Sequence, residues 1–400
     1  MLKRLGACDL TPRAELERRI DGLRRRMAEG GIDFAVIIQN VDVFYFTGSL
    51  QKGTLVVPAD KEPIFFVEKS LGRVGMETPL EITPIRRDKE IKGILKDRGL
   101  LHGVGAMELD VVPVSVFERF KSVVGYDRFV DISPLIRELR LRKSAFELEQ
   151  IKQSGAIIEK IFVRAREVIK EGITEVEIDA ELLAEGRRNG HQGFLRMRGL
   201  NQEMMNLYVS TGVASTIASY ADVPIAGVGL TPAIAQGSSM NVVEAGVPVV
   251  VDYGGGYNGY ITDETRVYVA GRLDEIFKRP YDVARNIIED FAGSGKEGVD
   301  CTELFERAVS RVKKEGLQDF FMGHGEGQVS FIGHGLGLEI NELPVITARH
   351  SRILEEGMVF ALEPKFIFPG KGAIGIEVDF IVRKDRLERV TSAPVDIVYV

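Results

Sequence analysis

Residues 247–269, VPVVVDYGGGYNGYITDETRVYV, carry the pattern that decides the fold of this chain. Two apolar runs flank Asn258-Gly259, a dipeptide that is typical of a two-residue turn between antiparallel strands. If these two residues form the turn, Tyr257 pairs with Tyr260, and the register of both strands follows. The stretch therefore predicts a long antiparallel hairpin.

The predicted hairpin carries two carboxylates on one face. In this register Asp263 lies opposite Gly254, two residues along the strand from Asp252. Because residues two apart share a face of a strand, the two carboxylates are diagonal neighbours, and Gly254 leaves room beside Asp263. Two close negative charges on an apolar hairpin predict a bound cation.

A second hairpin near the C-terminus predicts the same arrangement. Apolar residues 358–362 precede Glu363 and residues 373–376 precede Glu377, with a turn centred on Gly370 between them. That centre sets Glu363 opposite Glu377, where like charges destabilise a sheet unless something compensates them. For this hairpin alone, the alternative is that one glutamate points to solvent or pairs with a Lys or Arg. Two such hairpins in one half of the chain favour a shared cation site.

The fifth candidate ligand is His334, within residues 331–344, FIGHGLGLEINELP. A single histidine is more often structural than a ligand, but here the flanking glycines reduce the steric cover around the imidazole. The four carboxylates carry four negative charges, which two divalent ions would neutralise. Mostly oxygen ligands with one nitrogen suit Mn²⁺, Co²⁺ or Fe²⁺, with Zn²⁺ as a further choice, and we favour Mn²⁺. Two such ions polarise a carbonyl and activate water, which is metal-assisted hydrolysis.

The N-terminal part of the chain alternates helix and strand patterns, which indicates an α/β domain over residues 1–136. Helical periodicity covers residues 14–30, and strand-like runs cover residues 34–38, 54–57 and 63–67. Residues 136–143 are a charged bridge. Ser144, followed by Glu147, then has the capping-box pattern that begins an amphipathic helix. We predict a second domain, α+β with an antiparallel sheet, over residues 144–400.

Composition excludes several classes of protein. The net charge of −7 argues against a nucleic-acid partner. The sequence has no apolar run long enough to span a membrane, and its N-terminus has no apolar signal core. Cys8 and Cys301 fit no CxxC pattern, and we interpret both as structural or incidental thiols of a reducing compartment. We therefore expect a soluble cytoplasmic protein with no membrane partner.

At the candidate ligands the sequence resembles the pita-bread metallopeptidases, the family of methionine aminopeptidase, prolidase and aminopeptidase P. The resemblance covers about residues 145–400, with matching order, residue types and spacing. The matching pieces are Val-Asp252-Tyr-Gly, Gly-Tyr-Ile-Thr-Asp263-Glu-Thr-Arg, Gly-His334-Gly-Leu-Gly-Leu-Glu, Leu-Glu363-Pro and Ile-Glu377. Residues 31–37, GIDFAVI, and 43–48, VFYFTG, resemble the creatinase/prolidase N-terminal domain, which excludes a bare methionine aminopeptidase.

The resemblance implies an Xaa-Pro dipeptidase or aminopeptidase that acts on small peptides through a metal-bridging hydroxide. It also implies a homodimer, since relatives with this N-terminal domain are commonly dimers. The implied roles are Asp252 on one ion, His334 and Glu363 on the other, Asp263 and Glu377 bridging both, Glu363 moving a proton, and Thr265 supporting the ligands by hydrogen bonding.

Two substrate-side histidines of the family are replaced. Gln236 stands where family peptidases carry the histidine of Pro-His-Gly, and Asn341 stands where they carry a second one. The family's Glu-Pro-Gly is also Glu363-Pro-Lys here. We predict that the metal site is retained and that Gln236 and Asn341 still bind substrate, although Xaa-Pro specificity is altered. His191 and His324 are more often expected to be structural than to replace the missing pair.

Two alternatives follow from these replacements. One is a dinuclear-metal amidohydrolase of the same fold that acts on a small non-peptide C–N bond. The other is a binding module that kept the fold without activity. The complete ligand set argues against the binding module, because such a protein has no need for five costly buried groups.

Overall fold

The computed structural model describes residues 9–400 and divides into two compact units. One unit runs to Arg140 and also takes in Arg198–Gln202, and the other comprises Leu141–Met197 and Glu203–Val400. Cys8 lies outside the described residues. Within residues 9–400, every helix is too short or too polar to span a bilayer.

The N-terminal unit is a mixed α/β structure, as predicted. Its elements are α1 (Arg13–Glu29), β1 (Phe34–Ile37), α2 (Asn40–Thr47), β2 (Gly53–Pro58), β3 (Ile64–Val67), α3 (Leu71–Glu77), β4 (Ile82–Pro84), α4 (Lys89–Asp97), β5 (Gly105–Met107), α5 (Val114–Val124), β6 (Phe129–Asp131) and α6 (Ser133–Arg140). The strands form one sheet in the order β4-β3-β2-β1-β5-β6. Strand β2 is antiparallel to both of its neighbours, β1 and β3, while β4, β5 and β6 join in parallel.

Helix α6 differs from the predicted charged bridge. Ile136 and Leu139 are buried on one side of this helix. Arg140 is buried as well, and its Nη1 donates to Oδ1 of Asp42 at 2.8 Å. The charges of this segment therefore belong partly to an amphipathic helix and partly to a buried ion pair, which a count of charged residues does not reveal.

The C-terminal unit begins with two helices and continues mainly as antiparallel strands. Its elements are α7 (Ala145–Val168), α8 (Glu175–Arg188), β7 (Leu207–Thr211), β8 (Pro248–Tyr257), β9 (Tyr260–Val269), α9 (Glu275–Ser294), α10 (Cys301–Lys314), β10 (Phe331–Gly335), β11 (Glu342–Thr347), β12 (Val359–Leu362), β13 (Lys365–Phe368), β14 (Gly372–Gly375), β15 (Val378–Val382), β16 (Leu387–Arg389) and β17 (Val398–Tyr399). The predicted capping box of Ser144 and Glu147 is confirmed at the start of α7. Cys301 is a buried free thiol at the start of α10.

Two sheets of this unit carry the candidate ligands. One has the order β17-β9-β8-β7 and the other the order β11-β10-β12-β15-β16, while β13 and β14 form a separate two-stranded ribbon. Apolar residues of α7 and α8 pack against the first sheet, and those of α9 and α10 pack against the second. All neighbours are antiparallel except β17 and β9. Strands of both sheets thus carry Asp252, Asp263 and His334, while Glu363 and Glu377 lie next to strand ends.

Candidate metal centre

The first predicted hairpin has the expected register. Tyr257 pairs with Tyr260, and Gly254 pairs with Asp263. The prediction of empty space beside Asp263 is wrong, because a side chain at Gly254 would collide with the methyl groups of Leu195. Glycine at this position therefore admits the side chain of Leu195 against the strand.

The second hairpin also has the predicted register, but it is divided between two sheets. Lys365 pairs with Gly375 in the β13–β14 ribbon, and Leu362 pairs with Val378 where β12 meets β15. The same register on both sides of this gap places Glu363 opposite Glu377. The two glutamates thus lie where the chain passes from one sheet to another, and both are buried.

His334 points its Nε2 atom at three carboxylates. This atom lies 3.8 Å from Oδ2 of Asp263, 3.9 Å from Oε1 of Glu363 and 3.9 Å from Oε1 of Glu377. These distances are too long for hydrogen bonds. Two ligands of one transition-metal ion, each about 2.1 Å from it, lie at most about 4.2 Å apart, so the spacing suits a shared ion.

The glycines beside His334 allow close packing of β10 against its neighbouring strands. A Cβ atom at Gly333 would collide with the carbonyl oxygen of Ala361, and one at Gly335 would collide with that of Leu343. Glycine is needed so that β10 can lie tightly between β12 and β11. This close strand packing fixes the backbone on both sides of His334.

Asp263, His334 and Glu377 form a group that fits one metal ion. A ligand atom from each lies within 4.8 Å of the others. Among residues 9–400, Oε1 of the buried Glu377 has no hydrogen-bond partner. An unsatisfied buried carboxylate oxygen is costly, and a cation at this point would satisfy it.

Lys365 occupies the other side of the carboxylate cluster, a position that was not predicted from the sequence. Its Nζ atom lies 2.9 Å from Oδ2 of Asp252, 3.0 Å from Oε2 of Glu363 and 2.8 Å from Oε2 of Glu377. The side chain is only 2% exposed. Lys365 therefore forms a buried ammonium site with three of the four predicted carboxylate ligands.

The strand geometry explains why Lys365 reaches this point. Residues two apart on an extended chain share a face, so Lys365 projects to the same side as Glu363. Its partner Gly375 has no side chain, and a Cβ atom there would collide with Cα and Cγ of Lys365. The departure from Glu-Pro-Gly was visible in the sequence, and this periodicity was the signal that could have assigned Lys365 to the site.

The electrostatic environment favours added positive charge. Burial raises the pKa of Glu377 to about 8, with the neighbouring carboxylates of Glu363 and Asp252 adding to the effect against the lowering by Lys365. Burial and the carboxylates of Glu377 and Asp252 hold the pKa of Asp263 well above its ordinary range. Burial alone would lower the pKa of Lys365, but Asp252, Glu363 and Glu377 outweigh it and keep the pKa well above its usual value. Lys365 is therefore a cation at neutral pH.

Two further side chains support the cluster. Thr265, opposite Asp252 in the hairpin, donates a hydrogen bond from Oγ1 to Oε2 of Glu377 at 2.8 Å, which is the contact expected for its supporting role. Tyr208 lies opposite Asp252 on the other side, in β7, and was not predicted. Burial and the charges of Asp252 and Asp263 raise the pKa of Tyr208, so its hydroxyl stays protonated.

The predicted substrate residues differ in how their side chains are used. The Gln236 oxygen accepts from Tyr208 Oη at 2.9 Å, and its Nε2 donates to Tyr220 Oη at 3.0 Å and to the carbonyl of Glu203 at 2.8 Å. The amide of Gln236 is thus used within the protein. Asn341 is half-buried immediately before β11.

The other two histidines have structural contacts. The Nδ1 atom of His191 accepts from the backbone of Gly193 at 2.9 Å, and its Nε2 lies 3.0 Å from the carbonyl of Gly254. Burial lowers the pKa of His191, which keeps the ring neutral. His324 is exposed and stacks on Phe320 with ring centroids 5.8 Å apart. These contacts agree with the structural interpretation of both residues.

Comparison with known proteins matches nearly the whole chain. Residues 149–384 match Metallopeptidase family M24, and residues 19–142 match the Creatinase/Prolidase N-terminal domain. The chain is 27% identical over 379 residues to an Xaa-Pro dipeptidase from Pyrococcus furiosus, covering 94% of this chain and 98% of the relative. The X-Pro aminopeptidase from Thermotoga maritima has a TM-score of 0.79 at 26% identity, with 95% and 99% of the two chains covered. An Xaa-Pro dipeptidase from Bacillus anthracis has a TM-score of 0.82 at 24% identity over 96% and 100%, which supports the fold alone.

Proposed function

The chain belongs to metallopeptidase family M24, and from this membership we propose that it is an Xaa-Pro dipeptidase or aminopeptidase that hydrolyses the Xaa-Pro bond of small peptides. The family implies a dinuclear metal site and a peptide substrate. The relative from Pyrococcus furiosus is named an Xaa-Pro dipeptidase, and the relative from Thermotoga maritima is named an X-Pro aminopeptidase. At 27% and 26% sequence identity, these names support peptides with an Xaa-Pro bond as the substrate class. Which of these peptides the chain cleaves is part of our proposal.

The observation that carries this proposal is the convergence of Asp263, His334 and Glu377. They come from three separate strands or strand ends, yet their ligand atoms lie within 4.8 Å of one another. Bringing ionisable groups together in a poorly hydrated position costs folding free energy, and such clusters are typical of binding and catalytic sites.

The residues around this group supply proton transfer and orientation. A divalent ion held by Asp263, His334 and Glu377 would polarise a substrate carbonyl and lower the pKa of water. The Oε2 atom of Glu363 accepts a hydrogen bond from Lys365, while its Oε1 atom faces His334. We propose that this second oxygen takes the proton of the attacking water and passes it to the leaving amine.

A substrate panel tests the proposal. Purified protein supplied with Mn²⁺ is assayed against Xaa-Pro dipeptides, Xaa-Pro-containing tripeptides, and dipeptides without proline. Hydrolysis of the Xaa-Pro dipeptides that is lost in Asp263→Asn and kept in Asp385→Asn, a change of an exposed carboxylate, supports it. Cleavage of dipeptides without proline at an equal or higher rate would contradict it.

A second candidate is hydrolysis of a small non-peptide C–N bond by the same centre. The amide of Gln236 is bonded to Tyr208, Tyr220 and the Glu203 carbonyl, whereas family peptidases carry a substrate-side histidine at this position. A panel of small cyclic and acyclic amides decides between the two candidates. Turnover of such an amide, with no turnover of any Xaa-Pro peptide, would favour the second.

A further inference from the structure

We propose that the Lys365 ammonium takes the place of one of the two metal ions, so that the chain binds a single divalent ion at Asp263, His334 and Glu377. This inference deepens the proposed function and rests on it only for the location of the metal centre. It concerns the number of ions bound, which is measured without a substrate.

The position of the ammonium is the first argument. Asp252 is the carboxylate that the family resemblance assigns to one ion alone, and Nζ of Lys365 lies 2.9 Å from it. The same Nζ lies 2.8 Å from Oε2 of Glu377, a residue assigned to both ions. A metal ion bound by these two oxygens would have to displace the ammonium.

Charge is the second argument. The four carboxylates of Asp252, Asp263, Glu363 and Glu377 carry four negative charges when ionised, and Lys365 supplies one positive charge. One divalent ion then leaves a single excess negative charge. A second divalent ion would only change this to a single excess positive charge, so the charge compensation that favours the first ion gives no further gain for a second.

The division of the Glu377 carboxylate is the third argument. Its Oε2 atom accepts from Lys365 and from Thr265, whereas its Oε1 atom has no hydrogen-bond partner among residues 9–400. That unpartnered oxygen lies 3.9 Å from Nε2 of His334. One side of the carboxylate is thus satisfied by an ammonium, and the other side meets the group that fits one ion.

The backbone holds Lys365 in place. It lies in β13, and the absence of a side chain at Gly375 makes room for its Cα and Cγ atoms. Because the side chain is 2% exposed, moving the ammonium away from the carboxylates would bury it without those partners. A mobile lysine that gives way to a second ion is therefore disfavoured.

Metal titration of the full chain tests the inference. Protein stripped with a chelator is titrated with MnCl₂, bound Mn²⁺ is quantified, and the electron paramagnetic resonance spectrum is recorded without substrate. We expect one bound ion per chain and the spectrum of an isolated Mn²⁺ ion. Two ions with the spectrum of a spin-coupled pair would overturn the inference, and so would the absence of any specifically bound ion.

Substitutions at Lys365 separate the ammonium from its volume. Lys365→Ala should gain a second Mn²⁺ and a spin-coupled spectrum, since the carboxylates remain and the space opens. Lys365→Met fills the space without charge and should not gain an ion. Lys371→Ala, at an exposed lysine of the same hairpin, should bind one ion as the unaltered chain does. A folded Lys365→Ala variant that still binds one ion would show that Lys365 does not fill a metal position.

These outcomes are distinct from those of the substrate panel. A chain that binds one Mn²⁺ and cleaves no Xaa-Pro peptide contradicts the proposed function and leaves the inference about Lys365 standing. A chain that cleaves Xaa-Pro dipeptides with two bound ions supports the proposed function and overturns the inference about Lys365. If Lys365→Ala does not fold, as judged by circular dichroism, the ion count of the unaltered chain still decides.

Discussion

The Nζ atom of Lys365 lies 2.8 Å from Oε2 of Glu377, and the second oxygen of that carboxylate faces Nε2 of His334 at 3.9 Å. One carboxylate is therefore shared between a fixed ammonium and a histidine-containing group that fits an ion. In a site with two metal ions both oxygens would face metals. This relationship connects the departure from Glu-Pro-Gly with the chemistry of the centre.

Replacing Glu377 by Ala should abolish hydrolysis and leave a folded chain. The change removes the oxygen that faces His334 and one of the three carboxylates that hold Lys365. Replacing a residue that only supports a metal ligand lowers metal affinity or activity about 10–100-fold. Because Glu377 is itself a candidate ligand, its loss should lower kcat/KM at least about 100-fold. Turnover, bound Mn²⁺ and circular dichroism are measured together. Full activity with unchanged metal content would refute the role of Glu377.

The two Gly-His-Gly segments provide a matched pair for the histidine ligand. His334→Ala should weaken Mn²⁺ binding by on the order of 100-fold or more, because it removes the one nitrogen of the group. His324→Ala should leave binding unchanged, since His324 is exposed and stacked on Phe320. Isothermal titration with MnCl₂ measures both. If only the His324 variant bound Mn²⁺ more weakly, His324 and not His334 would be the ligand.

The hairpin registers were predictable, because a short turn and strict alternation of faces determine them. Asn258-Gly259 specified every pair of the first hairpin, and the turn at Gly370 placed Glu363 opposite Glu377. The same alternation also places Lys365 on the side of Glu363, but the end of a long flexible side chain depends on which acceptors the fold brings near. The carboxylate of Asp252 reaches Lys365 from a different sheet.

The roles of glycines and amides were less predictable for a related physical reason. What Gly333 and Gly335 permit depends on the neighbouring strands β12 and β11, and these are distant in sequence. The amide of Gln236 is satisfied by Tyr208 and Tyr220, which no local pattern connects to it. Local patterns therefore located the candidate ligands, while the partners that surround them needed the three-dimensional structure.

Glu108 should make the stability of the N-terminal unit fall as the pH rises. Burial, with the nearby charge of Asp42, raises the pKa of Glu108 from an ordinary 4.5 to about 8. Between these values the folded chain holds a proton that the unfolded chain has released, so the stabilisation is complete below pH 4.5 and is lost as the pH rises through about 8. The free energy of unfolding should fall by at most about 1.4 kcal/mol per pH unit in this range.

Glu108→Gln should remove this pH dependence and keep the fold. Oε1 of Glu108 accepts from the backbone of both Ile38 and Gln39, at 3.1 and 3.2 Å, so a glutamine oxygen can retain both hydrogen bonds. Urea unfolding at several pH values compares this variant with Glu118→Gln, which changes an exposed glutamate of α5. Equal pH slopes in the unaltered chain and in Glu108→Gln would show that Glu108 does not titrate in this way.

Asn341→His should improve the turnover of Xaa-Pro dipeptides, which we expect to be weak in the unaltered chain. A neutral amide donates a hydrogen bond, but unlike an imidazole it cannot also transfer a proton. Complete loss of such a donor in the transition state typically costs on the order of 3 kcal/mol, or about 100-fold in rate, which is the upper bound for replacing an imidazole by an amide. Restoring a histidine at 341 should therefore raise kcat/KM by up to about 100-fold.

Gln236→His is the matched comparison and should bring no gain, because it breaks the bonds to Tyr208, Tyr220 and the Glu203 carbonyl. Steady-state kinetics on one Xaa-Pro dipeptide, with thermal unfolding of each variant, measure the effect. Fast turnover by the unaltered chain, with Asn341→His neutral or harmful, would mean that another group already supplies the missing function. His191 is a poor candidate for it, because both of its ring nitrogens already contact the backbone of Gly193 and Gly254.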